Sequence, residues 1–507
     1  MEYLIGIDIG TSGTKTVLFN KDGEVICSDS KDYPLYQPNN GWAEQDPGDW
    51  WGATVKTLNT VINKSGIDPK DIKGVGLSGQ MHGLVLLDKN NQVIRRSIIW
   101  CDQRTDKECT EITQKVGKER LIEITANPAL TGFTASKILW VRNNEPENYS
   151  LIRKILLPKD YIRFKLTGKF ATEVSDASGM QLLDVPKRAW SQEVLDKLGI
   201  ERDFLGEMYE SPEITGEITK EVSEETGLSI GTPVVGGAGD NAAAAIGTGV
   251  CVDGKAFVTL GSSGVVFAHT DKLSIDPLGR VHTFCHAVPC SWHVMGVTQA
   301  AGLSLKWFKD NFCQSEIESA KLLGSDPYEI ICGGASRSPI GSSKLIYLPY
   351  LMGERTPHLN PKARGVFFGL SAVHDKKDMI RSIMEGVSFS QRDSYEVLKG
   401  IGVNVSLLTA CGGGSANPFW RQMIADTLGV SVNTAQSKEG PALGAAVLAG
   451  VGAGIYKSVP AACEAVVKVN EAICPNGTES SEYEKYYQIY KALYKSLEGQ
   501  FEALGNL

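Results

Sequence analysis

The 507-residue sequence lacks the long apolar segments and the basic surplus that attach proteins to membranes or nucleic acids. No apolar run approaches the roughly 18 residues of a transmembrane helix. We expect no secretory signal, because no basic start is followed by an apolar core. Acidic residues outnumber basic ones by 59 to 51, giving a net charge of −8. This balance argues against general binding to nucleic acid or to an anionic membrane surface.

Two familiar nucleotide-binding motifs are also missing. No Gly-x4-Gly-Lys-(Ser/Thr) segment occurs, which excludes a P-loop, and no Gly-x-Gly-x-x-Gly follows the first apolar run, which excludes a Rossmann turn. The eleven cysteines are scattered along the chain, and this number is odd. We therefore expect a reduced, cytoplasmic protein.

What the sequence does contain is one short pattern that occurs twice. Residues 4–19 consist of an apolar run, the turn Gly10-Thr11-Ser12-Gly13 and a second apolar run, and residues 257–267 repeat this order around Gly261-Ser262-Ser263-Gly264. The pattern predicts two β-hairpins whose tips are mostly backbone. N–H and hydroxyl groups at such tips suit phosphate oxygens. Because the copies lie about half a chain apart, we expect two domains that close on one polyphosphate.

The domain boundary is predicted from a second glycine-rich region. A strand, a glycine loop and a helix of small residues are expected at 234–247, and we place the inter-domain hinge just after them. The predicted domains are residues 1–248 and 249–507, both of α/β type. Tyrosines at helical spacing predict a packing helix over about 480–505, for which packing back on the first domain is one option.

Two aspartates are candidates for the chemistry. Asp8 ends a strand two residues before the first glycine turn, where a carboxylate beside phosphate requires a cation, and Mg²⁺ prefers this combination of oxygens. Asp240 follows Gly236-Gly237-Ala238-Gly239, which leaves its carboxylate accessible for taking a proton from a substrate hydroxyl. The structural alternatives are a turn cap for Asp8 and a helix N-cap for Asp240, and the N-cap is compatible with the catalytic role.

Two further clusters need an interpretation. The run Cys411-Gly412-Gly413-Gly414-Ser415-Ala416-Asn417 is suited to an adenine ring, with Asn417 at the ring edge, and its alternative is an ordinary strand-to-helix turn. His282, Cys285, His286, Cys290 and His293 are dense enough to suggest zinc. Their spacing matches no common zinc site, however, and the neighbouring aromatic residues favour strand packing.

At this point the residues match a family: the chain resembles the FGGY carbohydrate kinases from residue 1 to about 450. The matching segments are the opening hairpin, the two family signatures and four segments typical of its ketopentose kinases: 6–13, 132–140, 365–386, 79–83, 157–161, 350–358 and 282–286. The resemblance implies two actin-like (ribonuclease H-like) ATPase domains flanking a nucleotide and sugar cleft. It implies ATP-dependent phosphorylation of the C5 hydroxyl of D-xylulose, with another ketose or related sugar, such as ribulose or fuculose, as the alternative.

The resemblance also implies roles for single residues. Asp240 is expected to be the base, and Asp8 is expected to hold Mg²⁺ together with it. The expected sugar contacts are Met81, His82, Asn241, Trp100 and Asp102. The expected ATP contacts are Thr11, Ser12, Ser263, Gly302, Gly413, Gly414 and Asn417. Arg104 completes a Trp-x-Asp-x-Arg pattern, and a homodimer is implied because family members are often dimers.

Two readings from other classes remain open at this stage. The opening hairpin is shared with actin- and Hsp70-like conformational ATPases, although no peptide-binding domain follows and the segment Gln80-Met81-His82 would have no purpose there. A catalytically silent sugar-binding protein is the other reading, and the presence of both Asp8 and Asp240 argues against it.

Overall fold

The computed structural model describes residues 2–507, and its first half is built around one mixed sheet. The strands of this half are β1 (Tyr3–Ile9), β2 (Gly13–Asn20), β3 (Val25–Asp32), β4 (Glu44–Gln45), β5 (Ile72–Gly79), β6 (Val85–Leu87), β7 (Ser97–Ile98), β8 (Lys154–Leu156), β9 (Ala171–Glu173), β10 (Leu183–Asp184), β11 (Ala189–Trp190), β12 (Glu207–Tyr209), β13 (Ile214–Glu217), β14 (Pro233–Val235) and β15 (Ala238–Gly239). Its helices are α1 (Pro47–Ser65), α2 (Asp106–Val116), α3 (Lys118–Thr125), α4 (Thr134–Asn144), α5 (Pro146–Leu151), α6 (Pro158–Thr167), α7 (Val174–Ala177), α8 (Gln192–Leu198), α9 (Lys220–Thr226) and α10 (Asp240–Gly247).

The second half is built around a second mixed sheet. Its strands are β16 (Gly254–Leu260), β17 (Gly264–Thr270), β18 (His282–Cys285), β19 (Trp292–Thr298), β20 (Ile346–Leu348), β21 (Val366–Phe368), β22 (Val405–Cys411) and β23 (Ser431–Asn433). Its helices are α11 (Gly302–Phe312), α12 (Gln314–Leu323), α13 (Pro327–Ala335), α14 (Lys376–Gly400), α15 (Pro418–Leu428), α16 (Gly440–Gly452), α17 (Val459–Val466) and α18 (Gly477–Gly505).

The two large sheets share one connectivity. In the first, β1 pairs antiparallel with β2 and parallel with β5, and β3 continues the sheet beyond β2. In the second, β16 pairs antiparallel with β17 and parallel with β22, and β19 continues the sheet beyond β17. Both predicted hairpins are therefore confirmed. We call residues 10–12 the first tip and residues 261–263 the second tip.

Helix α1 shows how local sequence sets an element that supports the first tip. Asp46 accepts a hydrogen bond from the backbone N–H of Gly48 at 2.8 Å, with Pro47 at the first helical position. The helix ends at Gly66, whose φ of 65° is a left-handed conformation that favours glycine. Its apolar face buries Trp50 and Leu58 against the first sheet, as helical periodicity predicts.

The halves are joined where two helices of small residues cross. Helix α16 packs on α10 and on strands β1 and β5 of the first sheet. A Cβ placed on Gly444 would overlap the carbonyl oxygen of Ala243, and a Cβ on Gly76 would overlap that of Ala445. Backbone therefore lies directly on backbone, which only the absence of a side chain permits.

The last helix, α18, packs on the second half of the chain. The option that it packs back on the first domain is therefore wrong. Tyr483, Tyr487 and Tyr490 of α18 are buried in the core of the second half. The Tyr487 hydroxyl donates to Asp393 at 2.7 Å. Helix α16 lies on the first sheet instead, because its small apolar residues fit the space beside Leu4 and Phe19, and α17 packs on α16 and α10. Across residues 2–507, no helix combines the length and apolarity needed to span a membrane.

We predict that Gly76→Ala destabilises the protein, because its methyl group would force strand β5 away from α16. Overpacking of this kind costs about 1–3 kcal/mol or more, so the midpoint of thermal unfolding should fall. The matched control is Gly52→Ala in α1, where a Cβ meets nothing within 4 Å. That change should leave the midpoint unchanged or raise it, since alanine favours helix. Equal midpoints for both variants would contradict the close contact.

Candidate active site

The register of three strand ends brings the two candidate aspartates together. Asp8 of β1 lies opposite Ser78 of β5, and Ala238 of β15 lies opposite the same serine from the other side. Gly239 ends β15, so Asp240 emerges at this sheet edge as the first residue of α10. The carboxylates of Asp8 and Asp240 are close enough for the charge of Asp8 to raise the pKa of Asp240. Two strand ends that the sequence predicted separately thus form one acidic site.

The electrostatics of this site favour a carboxyl that titrates near neutrality. Burial is the main cause that raises the pKa of Asp240 to about 7, and the charge of Asp8 raises it further. Hydrogen bonds from the backbone N–H of Asn241 at 2.7 Å and from its amide at 3.0 Å oppose the shift. The N-cap of α10 is Gly239, and it has no side-chain cap. The structural alternative for Asp240 is therefore wrong.

Asp8 occupies a similarly desolvated position. Burial raises its pKa, while the hydrogen bond from the Ser78 hydroxyl at 2.8 Å and the charge of Lys15 lower it. Lys15, opposite Asp8 on β2, forms an ion pair of 2.5 Å with Glu439, the residue before α16. The pair joins the two halves of the chain beside the acidic site, and the charge of Glu439 raises the pKa of Asp8.

The first tip is held by amide side chains. The Gln80 amide donates to Gln45 Oε1 at 2.7 Å, and the Gln45 amide donates to the carbonyl of Thr11 at 2.7 Å. The indole N–H of Trp100 donates to the Thr11 hydroxyl at 2.9 Å, which places Trp100 at the tip. Ser12 is exposed. Sequence reasoning missed Gln45, whose only signal is its position next to the cap of α1.

The second tip is held by the start of α11. The backbone N–H of Ala301 donates to the carbonyl of Ser262 at 2.9 Å, and that of Gly302 donates to the carbonyl of Gly261 at 2.7 Å. The side chain of Ser263 is exposed. Gly302 therefore lies beside the tip, as expected of a phosphate-site residue, but its N–H is already used to support the tip.

The third glycine run adjoins the second tip. Cys411 of β22 lies opposite Thr259 of β16, so the run that follows lies next to Gly261. A Cβ on Gly412, whose φ is 81°, would lie 2.9 Å from the backbone nitrogen of Gly261, and a Cβ on Gly413 would meet nothing within 4 Å. The run turns from strand to helix and also leaves an open backbone surface.

The end of the same run is set by its helix cap. Asn417 caps α15 by accepting from the N–H of Trp420 at 3.1 Å through its amide oxygen. Gly414 packs against Leu260, where a Cβ would lie 2.9 Å from the leucine Cβ. The strand-to-helix alternative is therefore realised, and it places these residues beside the predicted phosphate tip.

His82 is a strained residue at the predicted sugar side. Its φ of 70° is unusual for a residue with a side chain. The Lys137 ammonium donates to its carbonyl at 2.8 Å, and its Nδ1 lies 2.9 Å from the carbonyl of Gly179. Its ring packs 4.7 Å from that of Phe133. Burial lowers the pKa of His82 to about 3, with the charge of Lys137 contributing, so the ring is a neutral hydrogen-bonding group.

Met81 and Asn241 complete the cluster around the base. Met81 is buried, and a Cβ on Gly239 would lie 2.8 Å from its Cγ. Asn241 follows Asp240 on α10 and is partly exposed. Met81, His82 and Asn241 are thus brought together with Asp240.

Asp102 corrects one prediction. Its side chain is fully buried, and its carboxylate accepts from the backbone N–H of Ala43 at 2.6 Å and from the Arg104 guanidinium at 2.7 Å. Arg104 in turn donates to Glu44 at 2.8 Å and lies 3.7 Å from the ring of Trp42. Because both carboxylate oxygens are engaged, Asp102 supports the wall behind Trp100 and offers no free oxygen to a sugar.

Sequence reasoning missed the buried polar cluster beneath residues 236–239, which we call the base loop. The Ser175 hydroxyl accepts from the N–H of Gly239 at 3.1 Å and donates to Glu173 Oε1 at 2.9 Å. Arg163 donates to the carbonyl of Gly236 at 2.9 Å. Lys159 lies 3.3 Å from Glu173, also in full burial. Both ends of the base loop are thus fixed from below.

The histidine and cysteine cluster forms an aromatic core. The rings of His286 and His293 lie 5.6 and 4.2 Å from that of Phe267. Burial lowers the pKa of His293 to about 3. Among residues 2–507, no group of three or more His, Cys, Asp or Glu side chains is arranged to hold a metal ion.

Comparisons with known proteins agree with this geometry. Residues 3–247 match the N-terminal domain of the FGGY family of carbohydrate kinases, and residues 256–453 match its C-terminal domain. The chain is 40% identical to a xylulose kinase of Bacillus subtilis, with 97% of each chain covered, and 31% identical to a gluconokinase of Bacillus licheniformis, with 99% and 98% covered. A crystal structure of a xyloylose kinase from Brucella ovis superposes with a TM-score of 0.90 at 36% identity, covering 98% of this chain and all of that one.

The chain therefore belongs to the FGGY family of carbohydrate kinases. Its fold is the two-domain α/β fold of that family, which is actin-like. The chain is a phosphotransferase of the sugar kinase class, and ATP is the phosphoryl donor of this family.

We predict that Ser175→Ala lowers kcat for sugar phosphorylation by about tenfold. Gly239 would lose the hydrogen bond from its N–H to the Ser175 hydroxyl, so Asp240, which follows it, would be held less precisely. KM for sugar and for ATP should change less than twofold, since Ser175 lies beneath the base loop. Steady-state kinetics with a coupled ADP-release assay measure both constants. The control is Ser150→Ala, whose exposed hydroxyl donates only to the nearby carbonyl of Glu147. A rise in KM without loss of kcat would contradict the positioning role.

Proposed function

We propose that this protein transfers the γ-phosphoryl group of ATP to the C5 hydroxyl of D-xylulose, forming D-xylulose 5-phosphate. The single observation that carries the chemistry is Asp240, whose carboxyl has its pKa raised to about 7 by burial and by the charge of Asp8. Met81 packs against Gly239, the residue before this carboxyl. The names of the relatives at 40% identity and of the Brucella ovis structure support the choice of sugar.

In this mechanism Asp240 accepts the proton of the sugar hydroxyl as the oxygen attacks the γ-phosphorus. A base with a pKa near the working pH combines sufficient ionisation with sufficient basicity. The ordered base loop and Asn241 hold the carboxylate in one orientation, so little reorganisation is needed. Phosphoryl transfer depends mainly on such positioning and on neutralising charge.

The remaining residues are assigned to contacts with the sugar or with ATP. We assign the sugar to Met81, His82, Asn241 and Trp100. We assign the phosphates and adenine to Thr11, Ser12, Ser263, Gly302, Gly413, Gly414 and Asn417. For Gly302 the contact is through proximity to the second tip, because its N–H already bonds Gly261.

The acidic site also fits Mg²⁺. Asp8 and Asp240 are two desolvated carboxylates whose repulsion raises the pKa of Asp240, and the nearest ammonium, Lys15, is paired with Glu439. Two carboxylates with ligands from phosphate and water are typical of Mg²⁺ in kinases. When bound, the ion would supply positive charge to the phosphate oxygens.

The crossing of α10 and α16 would be a fixed pivot for a closing motion between the halves. Backbone lies on backbone at this crossing, so closure would take place around it without displacing either helix. Closure would exclude water from Asp240 and so suppress hydrolysis of ATP in the absence of sugar.

We predict that a sugar panel separates this function from its alternatives. ADP release should be fastest with D-xylulose and slower with D-ribulose, L-fuculose or D-gluconate, and phosphorus NMR should place the product phosphate on C5. Faster turnover of D-gluconate would favour the activity named for the relative at 31% identity. ATPase activity that is independent of every sugar would favour a conformational ATPase.

A second test addresses the base. Asp240→Asn should lower kcat about 10²–10⁴-fold, the usual contribution of general base catalysis, while ATP binding measured by calorimetry persists. Asp22→Asn, at an exposed turn residue, is the matched control and should retain full activity. Retention of near wild-type turnover by Asp240→Asn would overturn the assignment.

We predict a pH dependence that follows from the raised pKa of Asp240. The protonated carboxyl cannot accept a proton, so kcat/KM should fall as the pH falls through about 7. In Asp8→Asn the repelling charge is gone, so the acid limb of the residual activity should move to lower pH. Rate profiles between pH 5 and 9 at constant ionic strength test both points. If the acid side of the pH–rate profile of Asp8→Asn coincides with that of the wild type, the charge of Asp8 does not act on the base.

The predicted domain boundary between 248 and 249, the homodimer and the cytoplasmic location stay predictions. We propose the boundary on the position of the family matches, the location on the composition, and the homodimer on membership of the family.

A further inference from the structure

Arg355 differs from the other arginines that line the interior. In the part of the chain that the structure describes, its guanidinium forms no hydrogen bond and no ion pair, although its side chain is largely withdrawn from water. Arg104, Arg163 and Arg381 are each paired with a carboxylate. An unpaired, partly desolvated cation costs free energy unless a ligand offers oxygen atoms to it.

The nearest carboxyl does not serve as the counter-ion. Glu354 Oε1 accepts from the backbone N–H groups of Gln299 and Arg355, both at 2.8 Å, and its Oε2 faces the Ser390 hydroxyl at 3.4 Å. Burial raises the pKa of Glu354 to about 8. Glu354 therefore directs its hydrogen bonds to the backbone and to Ser390, and it acts on Arg355 only through its charge, without an ion pair among the described residues.

The position of Arg355 is fixed by its neighbour. The Thr356 hydroxyl donates to the carbonyl of Arg280 at 2.7 Å, and the N–H of Thr356 donates to the carbonyl of Val297 at 3.0 Å. Arg280 lies two residues before His282 at the start of β18. The segment is thus pinned to the edge of the second sheet where His282 stands.

That edge faces the sugar side of the first half. The ring of His282 lies 5.7 Å from the ring of Phe133, which packs on His82. The positive charge of Arg355 helps burial to lower the pKa of both His282 and His82. The pKa of Asp240, by contrast, responds to burial, Asp8 and Asn241. Arg355 is therefore close enough to His82 and His282, at the predicted sugar side, for its charge to act on both.

The last helix stiffens the segment that carries Arg355. The Tyr350 hydroxyl donates to that of Tyr490 at 3.1 Å, and the Asn360 amide donates to the Tyr494 hydroxyl at 3.0 Å. The ring of His358 stacks on that of Tyr494. Residues 350–360 are thus clamped on both sides of Arg355, so the guanidinium is presented from a rigid support.

We propose that Arg355 binds the hydroxyketone end of the sugar, donating two N–H groups to the C2 carbonyl and C1 hydroxyl oxygens. This role rests on the proposed function, because Asp240 at the C5 hydroxyl leaves the other end of a five-carbon ketose towards His82 and His282. The planar guanidinium fork matches two adjacent oxygens, which an ammonium cannot do. Arg355 thereby makes the second half of the chain a selector for ketoses over the corresponding pentitols.

The test compares Arg355→Gln and Arg355→Lys with the wild type on D-xylulose and on the pentitols formed by reducing its carbonyl. Loss of a charge-assisted hydrogen bond corresponds to about 10- to 100-fold in affinity. We expect KM for D-xylulose to rise by that factor in both variants, including the charge-conserving one. KM for ATP should change less than twofold, and the preference for ketose over pentitol should shrink by the same factor.

Arg337→Gln is the matched control, because this arginine of the same half is exposed, and it should behave as wild type. Melting curves show whether the variants fold, and sugar binding without ATP, followed by intrinsic tryptophan fluorescence, keeps the test valid if turnover is lost. Equal loss on ketose and pentitol, or an unchanged KM, would overturn the role of Arg355 while Asp240→Asn still tests the reaction itself. If the wild-type protein prefers an aldonate, both the proposed ketose substrate and the proposed contact of Arg355 with it are wrong.

Discussion

The site depends on one constraint, the direct contact of backbone with backbone where α16 crosses α10 and the first sheet. Helix α10 begins at Asp240, and α16 begins directly after Glu439, the partner of Lys15. A displacement of either helix would therefore move the base, or the ion pair beside Asp8, by the same amount. Glycine and alanine at the crossing leave no side chain to absorb such a shift. Close packing of this kind transmits position accurately across a protein.

Burial, more than charge pairing, sets the pKa values of the titratable groups in the site. Asp8, Asp240 and Glu354 all have raised pKa values, with burial as the largest cause. His82 and His282 are made neutral by the same effect. The titratable groups of the site are thus weakly solvated, and they would respond strongly to a polyphosphate with its cation.

Local patterns predicted those parts of the site that local sequence determines. The two tips, the cap at Asp46, and the strand, loop and helix leading to Asp240 are set within about ten residues each, so periodicity and turn residues were sufficient. Asp102 was misassigned because its partners, Ala43 and Arg104, reveal its structural role only in the fold.

Contacts between distant parts of the chain could not be predicted in this way. Ser175 bonds Gly239, 64 positions away. The last helix reaches residues 350–360 across about 140 positions. Nothing in the spacing of these residues indicates such pairs, since they arise only when separate elements pack. The tyrosine pattern predicted a helix over this region, but it did not identify the surface on which that helix lies.

The repeat itself is symmetric in backbone and asymmetric in chemistry. Asp8 and Thr259 occupy equivalent positions in β1 and β16, and their partners on the parallel strand are Ser78 and Cys411. The first half thus places a carboxylate and a hydroxyl where the second half places a hydroxyl and a thiol, and burial raises the pKa of that thiol to about 11. A carboxylate suits a cation on phosphate, whereas a neutral pair leaves the second tip without a charge that would repel phosphate. Two hairpins of one backbone form can therefore serve one polyphosphate, provided that only one copy carries the acid.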